Sequence, residues 1–199
     1  MRLAAYLRPG LPRFMLEWLR AQLALDPVHW LPYAACFTRL EVPARTLLLR
    51  ENEVAKRAFF IEKGCLRVWF DNQGKDTTFQ FFFEQQSVSS LDSFRQHTPS
   101  LFSIETIEPC VVWWIAREDA YRLLTALGDA PAMREKLAAL LFDRIRHYME
   151  HCLSFIRDTP RQRYQQLLEK TPQVVQRVPQ HYIASYLGIS TVHLSRIKK

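Results

Sequence analysis

The last eighteen residues of the chain, YIASYLGISTVHLSRIKK (182–199), admit few local folds. Ile183, Leu187, Leu194 and Ile197 recur at steps of four, seven and three, and Ile189 falls between them, so helical backbone gathers them on one side. Ala184 is small where two helices would have to approach closely. Gly188, four residues on, supplies the positive φ of a tight turn. Ser190 stands where a second helix needs an N-cap. The spacing predicts a helix-turn-helix. Its outer face would carry Thr191, Val192, Ser195, Arg196 and Lys199, with Lys198 beside them and Gln180 at the start of the first helix. Hydroxyls and an arginine near a helix start suit phosphate oxygens and base edges in a DNA major groove. Arg196 is expected to read a guanine, and Lys198 and Lys199 to hold the backbone. The plainer alternative, a helical hairpin with a solvated basic face, explains any one of these residues but not their joint spacing.

Charge agrees with a polyanionic partner without selecting one: 27 Lys and Arg oppose 20 Asp and Glu, for a net charge of +7. No stretch reaches the roughly 20 apolar residues needed to span a bilayer. The start of the chain, MRLAAYLRPGLPRFMLEWLRAQLAL, is broken by Pro9, Gly10 and Pro12 and lacks a clean apolar signal core. The four cysteines, Cys36, Cys65, Cys110 and Cys152, are scattered. That excludes a C-x-x-C metal site and suits a reducing compartment. These features predict a soluble cytoplasmic protein with no membrane partner, no metal and no fixed cofactor.

Upstream, Phe14, Leu16, Leu19 and Leu23 predict a packing helix over 13–24. From 40 to 115 the texture changes to short β-branched and aromatic runs separated by turns, as in a barrel or sandwich. Leu66, Val68 and Phe70 alternate with Arg67 and Trp69, the pattern of a half-buried strand. DNQGK (71–75) predicts a hairpin turn around Gly74. FQFFF (79–83) is too apolar for an exposed edge, so both of its faces should be covered.

From 129 to 158 the pattern is helical again. Leu137, Leu141, Ile145, Tyr148, Cys152 and Phe155 step by four, four, three, four and three, like the seam of a coiled coil. Packing on the chain's own barrel is the plain reading; a two-fold dimer helix is the one the length favours. RDTPRQRY (157–164) then breaks the helix, with Thr159 and Pro160 fitted to cap and start another.

Rival chemistries leave weaker traces. HYMEH (147–151) fits the H-x-x-E-H zinc signature, but a third ligand is wanting and Tyr148 and Cys152 suit a seam. A cupin-like enzyme needs converging histidines on strands, and the strand region holds only His97. No G-x-S-x-G elbow or phosphate-cradling glycine loop occurs, so no enzyme is predicted. A module that binds only protein is the remaining rival.

The segments FFIEKGCLRVWF, TFQFFFE, LDSF, PSLFSIETIE and the run from RYQQLLEK to the C-terminus together resemble a Crp/Fnr-family transcription regulator, of the branch common in Bacteroidetes. The resemblance covers nearly the whole chain. It implies an α+β protein: N-terminal helices packing on the barrel (1–39), a jelly-roll (double-stranded β-helix) cyclic-nucleotide-binding-like sensor (40–128), a dimerisation helix (129–158) and a C-terminal winged helix-turn-helix (159–199). It also implies a homodimer on double-stranded DNA, a candidate small-molecule effector, and RNA polymerase as a candidate partner. By resemblance Ser190 would touch phosphate and Arg196 a base; the family often has an acidic residue where this chain has Val192, which leaves the base preference open. Members that bind cyclic AMP carry Gly-Glu and Arg-Ser or Arg-Thr pairs. The matching positions here are Ser89-Ser90 and Pro99-Ser100. Only Ser100 is retained, so a cyclic nucleotide is disfavoured. Glu84, Ser89, Ser90, Arg95 and Ser100 are the residues expected around a remaining pocket.

Overall fold

The computed structural model describes residues 31–128 and 131–198. The helix expected over 13–24 and Lys199 lie outside them. A 3₁₀ turn (Leu31–Cys36) leads into strands β1 (Phe37–Val42), β2 (Leu47–Leu49), β3 (Arg57–Lys63), β4 (Leu66–Asn72), β5 (Lys75–Phe82), β6 (Ser87–Val88), β7 (Ser103–Thr106) and β8 (Cys110–Ala116). A short helix α1 (Leu91–Gln96) separates β6 from β7. Six further helices follow: α2 (Arg117–Gly128), α3 (Pro131–Arg157), α4 (Pro160–Lys170), α5 (Pro172–Arg177), α6 (Gln180–Tyr186) and α7 (Thr191–Ile197). No helix among the described residues is long and apolar enough to cross a membrane.

The strands form two antiparallel sheets in the orders β1-β8-β3-β6 and β2-β7-β4-β5, a jelly-roll-like barrel. Inward side chains such as Phe59, Ile61, Leu66, Val68, Phe82, Ile104 and Val112 fill it. The DNQGK turn forms as its sequence predicts. Gln73 and Gly74 both take positive φ, at 55° and 82°, and Asn72 pairs with Lys75. That is the backbone a two-residue hairpin needs to match the strand twist. The Asp71 carboxylate accepts from the Gly74 N–H at 2.7 Å.

Helix α2 lays Ala120 and Leu123 on the barrel, and α3 then runs 27 residues, about 40 Å at 1.5 Å per residue. It ends before Thr159. The Gln162 side chain accepts from the Thr159 N–H at 2.8 Å, the Thr159 hydroxyl accepts from the Gln162 N–H, and Pro160 takes the first helical position. This capping box starts α4 where the sequence predicts.

A second core has no counterpart in a barrel read alone. Phe81 and Phe83 point away from the barrel interior and pack with Tyr164, Leu167, Val174, Ile183, Leu187 and other residues of the C-terminal helices. The outer face of β4–β5 is therefore covered, as the apolarity of FQFFF requires, and the cover comes from about a hundred residues downstream. It also buries Arg67, which stands on the polar side of an alternating strand. Arg67 is 2% exposed because α6 lies across it.

Candidate functional site

The C-terminal pair, α6 and α7, is held by the residues its spacing singles out. Ile183, Ala184, Leu187 and Leu194 are buried, and Ile189 and Ile197 half-buried. Between the helices Gly188 has φ 67°, and a Cβ there would come within 2.8 Å of the Phe155 ring, so both conformation and space require glycine. The Ser190 hydroxyl caps α7 by accepting from the His193 N–H at 3.1 Å. Thr191, Val192, His193, Ser195, Arg196 and Lys198 all stand exposed, as does Gln180 at the start of α6. Neither Arg196 nor Lys198 pairs with an acid among the described residues. One face thus offers hydroxyls and unneutralised cations at helical spacing.

The opposite side of this helical unit is fastened to the barrel by polar contacts the sequence does not announce. Arg177 grips Glu84 with two N–H groups, at 2.8 and 2.7 Å, and also pairs with Glu108. Hydrogen bonds from Arg177 hold the Glu84 carboxyl down to about 2. The Ser185 hydroxyl accepts from the Thr78 N–H at 2.9 Å and donates to the Asp76 carbonyl at 3.1 Å, plugging α6 into β5.

Helix α3 has two apolar faces. Leu137 packs on the barrel core, Tyr148 lies 5.2 Å from the Phe79 ring, and Phe155 meets Gly188 and the Arg163 guanidinium. These three face the chain itself. Leu141, Ile145 and Cys152 face solvent, with Phe142, Met149, Leu153 and Ile156 completing an exposed apolar stripe. The seven-residue periodicity is present, but the expected seam draws from both faces.

The residues expected around an effector pocket are not brought together. Glu84 belongs to the Arg177 clamp. Ser90 is buried at the start of α1. Ser100 is buried too, and its hydroxyl donates to the Phe102 carbonyl at 2.7 Å. Arg95 is exposed on α1. Only Ser89 borders the cavity of about 500 Å3 that lies between the barrel and α3. Sequence order places these residues in the right loops but does not aim their side chains. The cation that does reach the cavity is Arg144, which the apolar spacing of α3 does not single out. It stands in the heptad phase of Leu137 and His151, and a charge in an inward phase is the available signal.

The HYMEH side chains are engaged with separate partners. His147 Nε2 lies 3.0 Å from Gln80 Oε1, Glu150 pairs with Lys170, and the His151 ring stacks on Tyr186 at 4.3 Å. Among the described residues no group of three His, Cys, Asp or Glu side chains is arranged to hold a metal. Burial lowers both histidines' affinity for protons, that of His151 to about 4, with the neighbouring Arg163 guanidinium adding to it. An unfolded His151 takes its proton near the ordinary value of about 6.5. Its contribution to stability is therefore complete above about 6.5 and is lost as pH falls toward 4. Between pH 6.5 and 5 the unfolding free energy should drop by up to about 1.4 kcal/mol per pH unit from this group. His151→Phe should flatten that slope in denaturant titrations; equal slopes in the two proteins would refute the assignment.

Residues 39–126 match the family model of the cyclic nucleotide-binding domain. No curated protein matches the sequence. Among solved structures, the c-di-GMP-responsive global regulator CLP of Xanthomonas campestris is 19% identical, with a TM-score of 0.69 over 86% of this chain and 89% of that one. FixK2 of Bradyrhizobium japonicum is 18% identical, with a TM-score of 0.68 over 81% of this chain and 82% of that one. The regulatory domain of Toxoplasma gondii PKA, solved with cAMP, is 16% identical, with a TM-score of 0.52 over 59% of this chain. The chain spans only 46% of that protein's length. At such identities the likeness is one of fold.

Proposed function

We propose, from the premise that the chain carries a cyclic nucleotide-binding domain built like those of Crp/Fnr-type regulators, that it is a dimeric, sequence-specific DNA-binding transcription regulator whose pocket takes an effector other than a cyclic nucleotide. The observation that supports this most is the outer face of α7. Hydroxyls, Arg196 and Lys198 stand exposed and unpaired by acids on a helix whose other side is fixed by buried Ile183, Ala184, Leu187 and Leu194. In this reading α6 and α7 are a helix-turn-helix, and α7 is the recognition helix. Two such helices on a two-fold dimer enter successive major grooves about 34 Å apart, on a near-palindromic site. The exposed stripe of α3 supplies the dimer seam. The lost Gly-Glu and Arg-Ser pairs support a pocket that no longer holds a cyclic phosphate, which needs a cation or several donors once buried. The PKA neighbour covers 59% of this chain, so it does not bear on the whole of it.

Selection from a randomised DNA pool tests the reading: the purified protein should enrich a two-fold symmetric site, and cyclic AMP should not change the outcome. No enrichment with or without cyclic AMP would return the chain to the class of protein-interaction modules. Arg196→Ala should weaken binding to the selected site by about 1–3 kcal/mol and relax preference at one position in each half-site. Selectivity unchanged in that variant removes Arg196 from base reading.

A further inference from the structure

The cavity between the barrel and α3 has a definite chemistry. Its volume, about 500 Å3, is on the scale of sites that hold small organic molecules, about 300–1,000 Å3. Ala58, Phe60, Phe82 and Val88 give it apolar walls, and Arg144 gives it a charge. The Arg144 guanidinium lies 4.6 Å over the Phe82 ring and donates one hydrogen bond, at 3.1 Å, to the Ser87 carbonyl. A guanidinium has five N–H donors, so most of its capacity is open. No carboxylate answers it among the described residues. Its neighbour Asp143, also on the cavity wall, is paired with Arg146 at 2.8 Å. His147 brings no second charge, because burial favours its neutral ring and Gln80 accepts from it.

We propose that this cavity binds a monocarboxylate with an apolar body, its carboxylate held by Arg144 and its body by the Phe60–Phe82 wall. The planar guanidinium fork matches a carboxylate in two parallel hydrogen bonds. The positions matched to the cyclic-phosphate pairs offer an anion nothing here: Ser100 spends its hydroxyl on Phe102, Ser89 donates to the Arg57 carbonyl at 3.2 Å and Ser90 does not border the space, which leaves Arg144 as the one Lys or Arg in the lining among the described residues. The inference rests on the regulator reading for its purpose. Arg144 projects from the long helix rather than from the loop between β6 and β7, so a bound acid ties α3 directly to the barrel. Ligand binding and the geometry of the proposed dimer helix are then one event, favoured or opposed together.

The test is calorimetric titration of the full chain with octanoate and benzoate, their neutral amides, and cyclic AMP. At least one acid should bind saturably, its amide at least tenfold more weakly. Arg144→Met keeps the stem over Phe82 and removes the charge; it should lose at least tenfold in affinity for the acid and none for the amide. Ala58→Leu, which narrows the cavity without touching Arg144, should weaken the acid as well and guards against misfolding of the first variant. Saturable binding of neither acid, equal binding of acid and amide, tighter binding of cyclic AMP, or affinity unmoved by Arg144→Met overturns the proposal. DNA selection on the same preparation separates the two readings. A selected site without acid binding sinks this inference alone, and acid binding without a selected site sinks the regulator reading alone.

Discussion

Arg67→Ala should destabilise the protein by about 3–5 kcal/mol, the loss expected when one partner of a buried ion pair is removed. The guanidinium is 2% exposed and lies between two carboxylates, 2.7 Å from Glu105 and 3.0 Å from Asp76. Its faces are covered by Trp69 at 4.9 Å and Tyr182 at 3.9 Å. Alanine strands Glu105, whose side chain is only 15% exposed, and leaves Tyr182 of α6 with no platform. The C-terminal helices should loosen in the same step, because Tyr182 and Ser185 meet the sheet side by side. The measurement is the denaturant midpoint, with hydrogen exchange across 180–198. Arg67→Met combined with Glu105→Gln should recover most of the loss, since an apolar and neutral pair of similar shape asks for no charge compensation. A cost below about 1 kcal/mol for the single variant would mean that the pair holds nothing together.

Ile145→Lys should split the proposed dimer. Ile145 sits mid-way along the solvent stripe of α3, which runs from Phe142, 70% exposed, to Ile156, 85% exposed. A large apolar area of this kind on one helix face is unusual for a monomer. Two-fold symmetry places each change twice in the seam. Losing two buried isoleucines, at about 2–5 kcal/mol each, raises the dissociation constant at least a thousandfold. Sedimentation at micromolar concentration should report half the wild-type mass, and affinity for the selected DNA site should fall with it. Tyr148→Ala is the control on the inward face. It should lower thermal stability by removing the contact with Phe79 and leave the mass unchanged. An Ile145→Lys protein that still sediments as a dimer rejects the stripe as the seam.

What the sequence made legible was local. The 71–75 hairpin follows from two positions that must take positive φ, and the α6–α7 turn from a glycine and an alanine four residues apart. Thr159 announces its own capping box. Each is decided within a turn of backbone, so spacing is enough. Arg67 was not legible. Period-two alternation says which face of a strand a side chain takes, but not what covers that face, and here the cover is Tyr182. Helix α3 shows the same limit in another form. Heptad stepping marks apolar residues without saying whether they meet the chain's own barrel or a second copy, so Tyr148 and Ile145 read alike. The pocket residues failed for a third reason. Matching by order along the chain fixes a loop, whereas Ser100 and Glu84 are aimed by hydrogen bonds to Phe102 and to Arg177 that no order of residues encodes.

Strand β5 belongs to two cores at once, with Phe82 turned into the barrel and Phe81, and Phe83 just beyond it, turned into the C-terminal helices. The C-terminal helical end is therefore not a transplantable module on a tether. Cutting the chain after α2 would leave bare aromatic rings on the barrel, and grafting α4–α7 elsewhere would leave their apolar side without a floor. Barrel and C-terminal helices share a strand between their cores and should melt together. In the proposed regulator a signal would then be read as a change in how one whole subunit is aimed relative to the other.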